Sequence, residues 1–110
     1  MLIAWLACYS PAVFADRYAD AQCERLFTCD PATASLLYWS EEDCRPLSQS
    51  QIEANNDCIS EHCAYDPVEA EACVAEAVLS RCEEFLFPEG EGPCDAVWRD
   101  CDGAEAACAE

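Results

Sequence analysis

Asp66-Pro67-Val68-Glu69-Ala70-Glu71-Ala72-Cys73 combines a helix start with a crosslinking position. Asp66 is suited to accept from the first free backbone N–H groups. Pro67 falls at the first helical position, where its missing N–H leaves nothing unsatisfied, and Glu69 stands in the capping-box position. The helix is predicted to run to about Phe85. Its inner face carries Ala70, Cys73, Val74, Ala77, Val78 and Cys82, while Glu69, Glu76, Glu83 and Glu84 face water. The buried side of this helix is thus made of small residues and two cysteines, so its packing is expected to be fixed by sulfur more than by large aliphatic side chains.

The same character extends in both directions. Residues 12–29 read as a helix, with Ala15, Ala19, Cys23 and Leu26/Phe27 at i, i+4 spacing, Phe14 and Tyr18 on the adjoining stripe, and Asp16, Asp20 and Glu24 opposite. Asp30-Pro31 stops it, because a residue before proline is pushed out of the helical region. Ser40-Glu41-Glu42-Asp43 is a second capping box, opening a short helix that Pro46 is expected to end or kink within a turn. Ser48 to Gln51 offers a restart for a helix over 49–62, weakened at Asn55-Asn56-Asp57. Phe87 to Pro93 reads as a loop. Asp95 to Cys101 supports one last short helix, with Asp95 and Arg99 at the favourable i, i+4 spacing. No run alternates β-branched residues. The predicted fold class is all-α: a small disulfide-rich domain of four to five short helices with no sheet.

Eleven cysteines in 110 residues set the compartment. Cys8 sits in an apolar leader. The remaining Cys23, Cys29, Cys44, Cys58, Cys63, Cys73, Cys82, Cys94, Cys101 and Cys108 are an even set that closes into five bridges with none left over, which requires an oxidising environment. Leu, Ile, Val and Phe together number only 20, against a net charge of −18. Such a chain would tend to disorder without crosslinks. All five basic residues are arginines (Arg17, Arg25, Arg45, Arg81, Arg99) against 23 carboxylates, which excludes nucleic acid as a partner. The acidic surface reads as a solvation device, and divalent cations and basic proteins are the partners compatible with it.

Residues 1–15 form the apolar leader and 16–110 the folded domain. Leu6-Ala7-Cys8 resembles the end of a bacterial lipobox, in which the cysteine is acylated. Val13-Phe14-Ala15 offers a competing signal-peptidase cut after Ala15. Six apolar residues cannot span a bilayer, so membrane attachment is expected only through a lipid on Cys8.

Tyr18-Ala19-Asp20-Ala21-Gln22-Cys23, Cys29-Asp30-Pro31, Ser40-Glu41-Glu42-Asp43-Cys44, Glu69-Ala70-Glu71-Ala72-Cys73 and Ser80-Arg81-Cys82 together resemble the small cysteine-rich exported lipoprotein-type proteins of myxobacterial-type bacteria. The resemblance covers roughly residues 14 to 98. Its most specific part pairs a Cys-x5-Cys-Asp-Pro helix end with an Ala-x-Ala-Cys-x8-Cys helix. It implies export, a helical disulfide-stapled domain and lipid anchoring, and it carries over no catalytic residue. Cys58, Cys63, Cys101 and Cys108 are additional to that pattern and suggest two further local bridges, Cys58 with Cys63 the first.

Other site chemistries are weaker. The sole histidine, His62, lies between Cys58 and Cys63, but a metal site there lacks a fourth ligand. Cys-x2-Cys is absent, which removes a thioredoxin-like centre. The steps from Cys94 to Cys101 to Cys108 would share a helical face, but Gly103 interrupts them. Asp100-Cys101-Asp102-Gly103-Ala104-Glu105 looks like a fragment of a calcium loop without its third Asp/Asn or distant Glu, and reads as a solvated tail. No catalytic residue and no cofactor are expected. Phe85-Leu86-Phe87-Pro88 and Tyr38-Trp39 are expected as core plugs, with a ligand pocket or contact patch as the other readings. The expected function is a non-enzymatic structural or interaction module, on the outer membrane as a lipoprotein or free in the periplasm or medium, with a protein partner there. The alternatives are a small carrier of lipid or another apolar ligand, or a weak calcium binder.

Overall fold

A computed structural model describes residues 9–103 and Cys108. Ser10 caps helix α1 (Pro11–Cys29), its hydroxyl accepting from the Val13 N–H at 3.3 Å, with Pro11 at the first helical position. Asp30-Pro31 ends α1 as predicted and also starts helix α2 (Pro31–Leu37). The Asp30 N–H donates to the Leu26 carbonyl, and its carboxylate accepts from the Thr33 N–H. One aspartate thus closes one helix and opens the next.

Ser40 caps helix α3 (Glu41–Ile59) through the Asp43 N–H. Here the structure departs from the expected interruption: Pro46 lies inside an unbroken helix, and no restart at 48–51 is needed. Proline removes only the bond to the Glu42 carbonyl. The same turns are held to α1 from outside, by the Cys23–Cys44 bridge and by Arg45 beside Asp20 at 3.6 Å. Asn56, read as weakening the helix, is buried and donates to the Pro11 carbonyl at 3.3 Å. Cys44 meets the C-terminal half of α1 and Asn56 its start, so α1 and α3 run antiparallel.

A short strand β1 (Ala64–Tyr65) leads into helix α4 (Pro67–Leu79). Asp66 caps it as predicted, accepting from the N–H groups of Val68 and Glu69. The other half of the expected box is replaced: the Asp66 N–H donates to the Val97 carbonyl at 2.8 Å, so this helix start is tied to the far end of the chain. The predicted helix to Phe85 is broken. Ser80 and Arg81 are extended, and a separate short helix α5 (Cys82–Leu86) follows. Three contacts pull the chain out of helix here. The Arg25 guanidinium takes the Ser80 carbonyl at 2.9 Å, the Ser80 hydroxyl turns back to the Ala77 carbonyl, and Cys82 is bridged to Cys29.

The predicted helix over Asp95–Cys101 is also replaced. Pro93–Asp95 forms a single 3-10 turn, and Trp98–Arg99 is strand β2, antiparallel to β1 with Ala64 opposite Arg99 and Tyr65 opposite Trp98. The fold is therefore helical with one small two-stranded ribbon, against the expectation of no sheet. Val97, 2 % exposed, fills the core and holds this segment extended, and the Tyr65 and Trp98 rings pack at 5.0 Å. Arg99 pairs with Asp66 across the ribbon, not with Asp95.

The core joins Tyr9, Phe14, Ala70, Cys73 and Val97, with Val13, Tyr18, Tyr65, Val74 and Trp98 packed around it. Ala15, Ala19, Ala34, Cys23 and Cys44 are buried as well. Small residues at these positions let helix backbones approach closely. Tyr9, Phe14 and Ala15, which precede residue 16, are among the buried residues.

Candidate functional site

The ten cysteines behind Cys8 pair as Cys23–Cys44, Cys29–Cys82, Cys58–Cys108, Cys63–Cys101 and Cys73–Cys94. Cys23–Cys44 fastens α1 to α3, and Cys29–Cys82 fastens the end of α1 to the start of α5. Cys73–Cys94 draws the 3-10 turn onto α4. Cys8 lies outside the described residues.

The four additional cysteines do pair among themselves, but the expected Cys58–Cys63 link is not formed. Cys58 is on the last turn of α3, whereas Cys63 sits in the bend directly before β1, its N–H donating to the Ile59 carbonyl at 2.8 Å. The ribbon register carries Cys63 toward Asp100 and Cys101, and the Asp102 N–H donates to the His62 carbonyl at 3.2 Å, continuing the pairing past the bridge. Cys58 and Cys63 thus each clasp the C-terminal segment. Their oxidation removes the two thiolates that a Cys58/His62/Cys63 metal site would need. Cys94, Cys101 and Cys108 go to three different partners and share no helical face.

Among the described residues, no three His, Cys, Asp or Glu side chains converge as ligands for a cation. Asp100 and Gly103 have positive φ (54° and 78°), as a turn requires, but Ala104 and Glu105 of the calcium-loop fragment lie outside the described residues. A surface depression of ≈ 340 Å³ is lined by Pro11, Ala12, Glu53, Asn56 and Asp57. Its carboxylates and amide do not suit a lipid chain.

Each arginine has an internal partner. Arg25 pairs with Glu24, Arg45 with Glu41 and Asp20, Arg81 with Glu84 and Arg99 with Asp66, while Arg17 lies over the Tyr9 ring at 5.9 Å. Hydrogen bonds from Arg25 and Thr28 hold the Glu24 carboxyl below its ordinary range, and the Arg81 N–H followed by its guanidinium does the same for Glu84. Most carboxylates therefore face water uncompensated. Burial raises the phenols of Tyr9, Tyr18 and Tyr65 above their usual value. The Tyr65 hydroxyl donates to the Tyr9 carbonyl at 2.8 Å.

Of the expected core plugs, Tyr38 and Phe85 are half-buried, whereas Trp39, Leu86, Phe87 and Pro88 are exposed. Trp39 is 96 % exposed, Leu36 86 % and Leu37 62 %, and at the other junction Leu79 is 80 % and Phe87 74 % exposed. Ala34 explains the first group. It is the one buried residue of α2, and Leu36 lies about 200° farther round the helix, pointing away from α1. Trp39 is therefore not a core plug. A signal for its exposure was present in the sequence: residues 31–40, Pro-Ala-Thr-Ala-Ser-Leu-Leu-Tyr-Trp-Ser, contain no charge in a chain that is 25 % charged.

The chain matches no protein-family model, no curated protein and no solved structure.

Proposed function

We propose that this chain is a non-enzymatic, exported interaction module of the lipoprotein type, held at a membrane face by acylated Cys8. The observation that carries this reading is the closure of ten cysteines into five bridges around a core of alanine, cysteine and few large side chains. Bridges of this kind persist in oxidising compartments, and each contributes roughly 2–5 kcal/mol to a small domain. His62, the sole histidine, stands beside an oxidised Cys63, and the arginines are occupied by carboxylates, a backbone carbonyl or an aromatic ring.

The choice between the two leader cuts rests on packing. A cut after Ala15 removes the Ser10 cap together with Phe14 and Ala15, which are 6 % and 0 % exposed. A cut before Cys8 keeps all of them, and also keeps the Tyr9 carbonyl that Tyr65 binds. Acylation of Cys8 is therefore compatible with the whole core.

Intact mass of native material, before and after reduction and alkylation, tests both parts. The expected result is no free thiol before reduction, ten labelled cysteines after it, and a diacylglycerol-sized increment on an N-terminal Cys8. Free thiols in the native protein would overturn the exported-module reading. A mature chain that begins elsewhere and carries no lipid would overturn the anchor and leave the module.

A further inference from the structure

We infer that the charge-free tip formed by α2 and the turn after it, Leu36-Leu37-Tyr38-Trp39, is the contact surface of this module, and that its partner is a protein with an apolar pocket rimmed by lysine or arginine. The inference rests on the interaction-module reading and names the surface through which it acts.

The chain is poor in large apolar side chains, yet it exposes a tryptophan almost completely and two leucines largely, within four consecutive residues. An exposed tryptophan beside a tyrosine is the composition of a binding hot spot, and the two leucines widen the apolar patch around it. The tip is charge-free for ten residues, but its edges are acidic: Asp30 precedes it, and Glu41, Glu42 and Asp43 follow. Glu41 is taken by Arg45, whereas Glu42 and Asp43 are exposed and form no ion pair among the described residues. An apolar centre with an acidic border is complementary to an apolar pocket with a basic border.

A lipid surface fits less well. Anionic headgroups would meet a chain of net charge −18, and Glu42 and Asp43 would be drawn into the interface with the tip. Position argues the same way. The acylated residue precedes the start of α1, while α2 is attached to its far end, and nineteen residues of helix span about 28 Å. An anchor attached through Cys8, which precedes α1 in the sequence, thus leaves the tip a helix length from the anchored end.

The test is a titration of the full, oxidised, ¹⁵N-labelled chain with a synthetic amphipathic helix of leucine and lysine, followed by amide shifts. A leucine–glutamate helix of the same pattern is the control. Saturable shifts centred on 34–43 with the basic peptide alone are expected. Trp39→Ser should weaken binding about 30-fold, the loss of a hot-spot side chain. Glu89→Gln, remote in sequence, should change it less than about twofold. Both variants alter exposed side chains, and unchanged spectra elsewhere verify the fold. Shifts spread over the acidic surface and insensitive to Trp39→Ser would overturn the tip. So would tip shifts produced by phosphatidylcholine vesicles but not by the peptide, or by concentrating the protein alone. Saturable binding centred on Leu79 and Phe87 would move the contact there and leave the module reading intact. No saturable binding anywhere would count against the module itself.

Discussion

Removing the Cys29–Cys82 bridge by Cys29→Ala with Cys82→Ala should destabilise the oxidised protein by about 4 kcal/mol, against about 3 kcal/mol for Cys58→Ala with Cys108→Ala. The two bridges have sequence separations of 53 and 50, so chain entropy applied to each alone gives equal costs. The other bridges break the tie. Cys63–Cys101 lies inside Cys58–Cys108, so without the outer bridge the ends remain joined through a path of only about 13 residues. From Cys29 to Cys82 the shortest remaining covalent path is about 44 residues, because the Cys23–Cys44 bridge shortens the direct route of 53 only slightly. The difference of about 1 kcal/mol therefore measures nesting. Loss of the Arg25 hold on the Ser80 carbonyl, which the bridge keeps in place, adds to the first variant. Guanidinium unfolding followed by far-ultraviolet circular dichroism reads both values, and each variant retains an even set of eight bridging cysteines. Equal costs, or a greater cost for the nested pair, would refute the argument from the bridge network.

Ala70 is 0 % exposed in the core, so Ala70→Leu should cost about 1–3 kcal/mol through overpacking, seen as a lower melting temperature with all bridges intact. Tyr65→Phe should cost about 1 kcal/mol in the same measurement, because the Tyr9 carbonyl loses its 2.8 Å donor. Burial keeps the phenols of Tyr9, Tyr18 and Tyr65 protonated where unfolded tyrosine ionises, so the native state binds more protons there. Stability should therefore fall as pH rises through about 10, with tyrosinate absorbance appearing later in the folded protein than in the unfolded one. Partial reduction should open Cys63–Cys101 first, since Cys101 is exposed, and Cys23–Cys44 last, since both sulfurs belong to residues 1 % exposed; alkylation and peptide mapping give the order.

Local signals that act within one turn were legible in the sequence. Ser40, Asp66 and Asp30-Pro31 mark helix ends where the structure places them, because a cap needs only its own side chain and the next three N–H groups. The features that were not legible depend on partners far along the chain. Pro46 is carried inside a helix by a bridge and an arginine contact to α1. Ser80 is pulled out of one by Arg25, 55 positions away. Trp98–Arg99 becomes extended because Ala64 and Tyr65 lie alongside, and the same pairing takes Cys63 to Cys101. The tip failed for a different reason. Large apolar side chains in a chain so short of them suggest a core, and only the Ala34 contact shows that α2 packs by its small side.

Exposed apolar side chains and dense crosslinks have a common physical basis here. In a domain held by aliphatic burial, moving a tryptophan and several leucines to the surface would forfeit roughly 1.5–3 kcal/mol each, and a small core could not bear the loss of many. Where five bridges restrict the unfolded chain instead, the core can be built from alanine and cystine, and the large side chains are free to lie outside. Exposure then brings the hazard of self-association. The surface opposes it: copies carrying a net charge of −18 repel one another, while the attraction at each tip is short-ranged. The acidic residues thus do more than keep the chain solvated. On the proposed reading they oppose self-association through the apolar tip, and they favour for its contact a surface apolar at the centre and basic at the edge, on which both kinds of force act in the same direction.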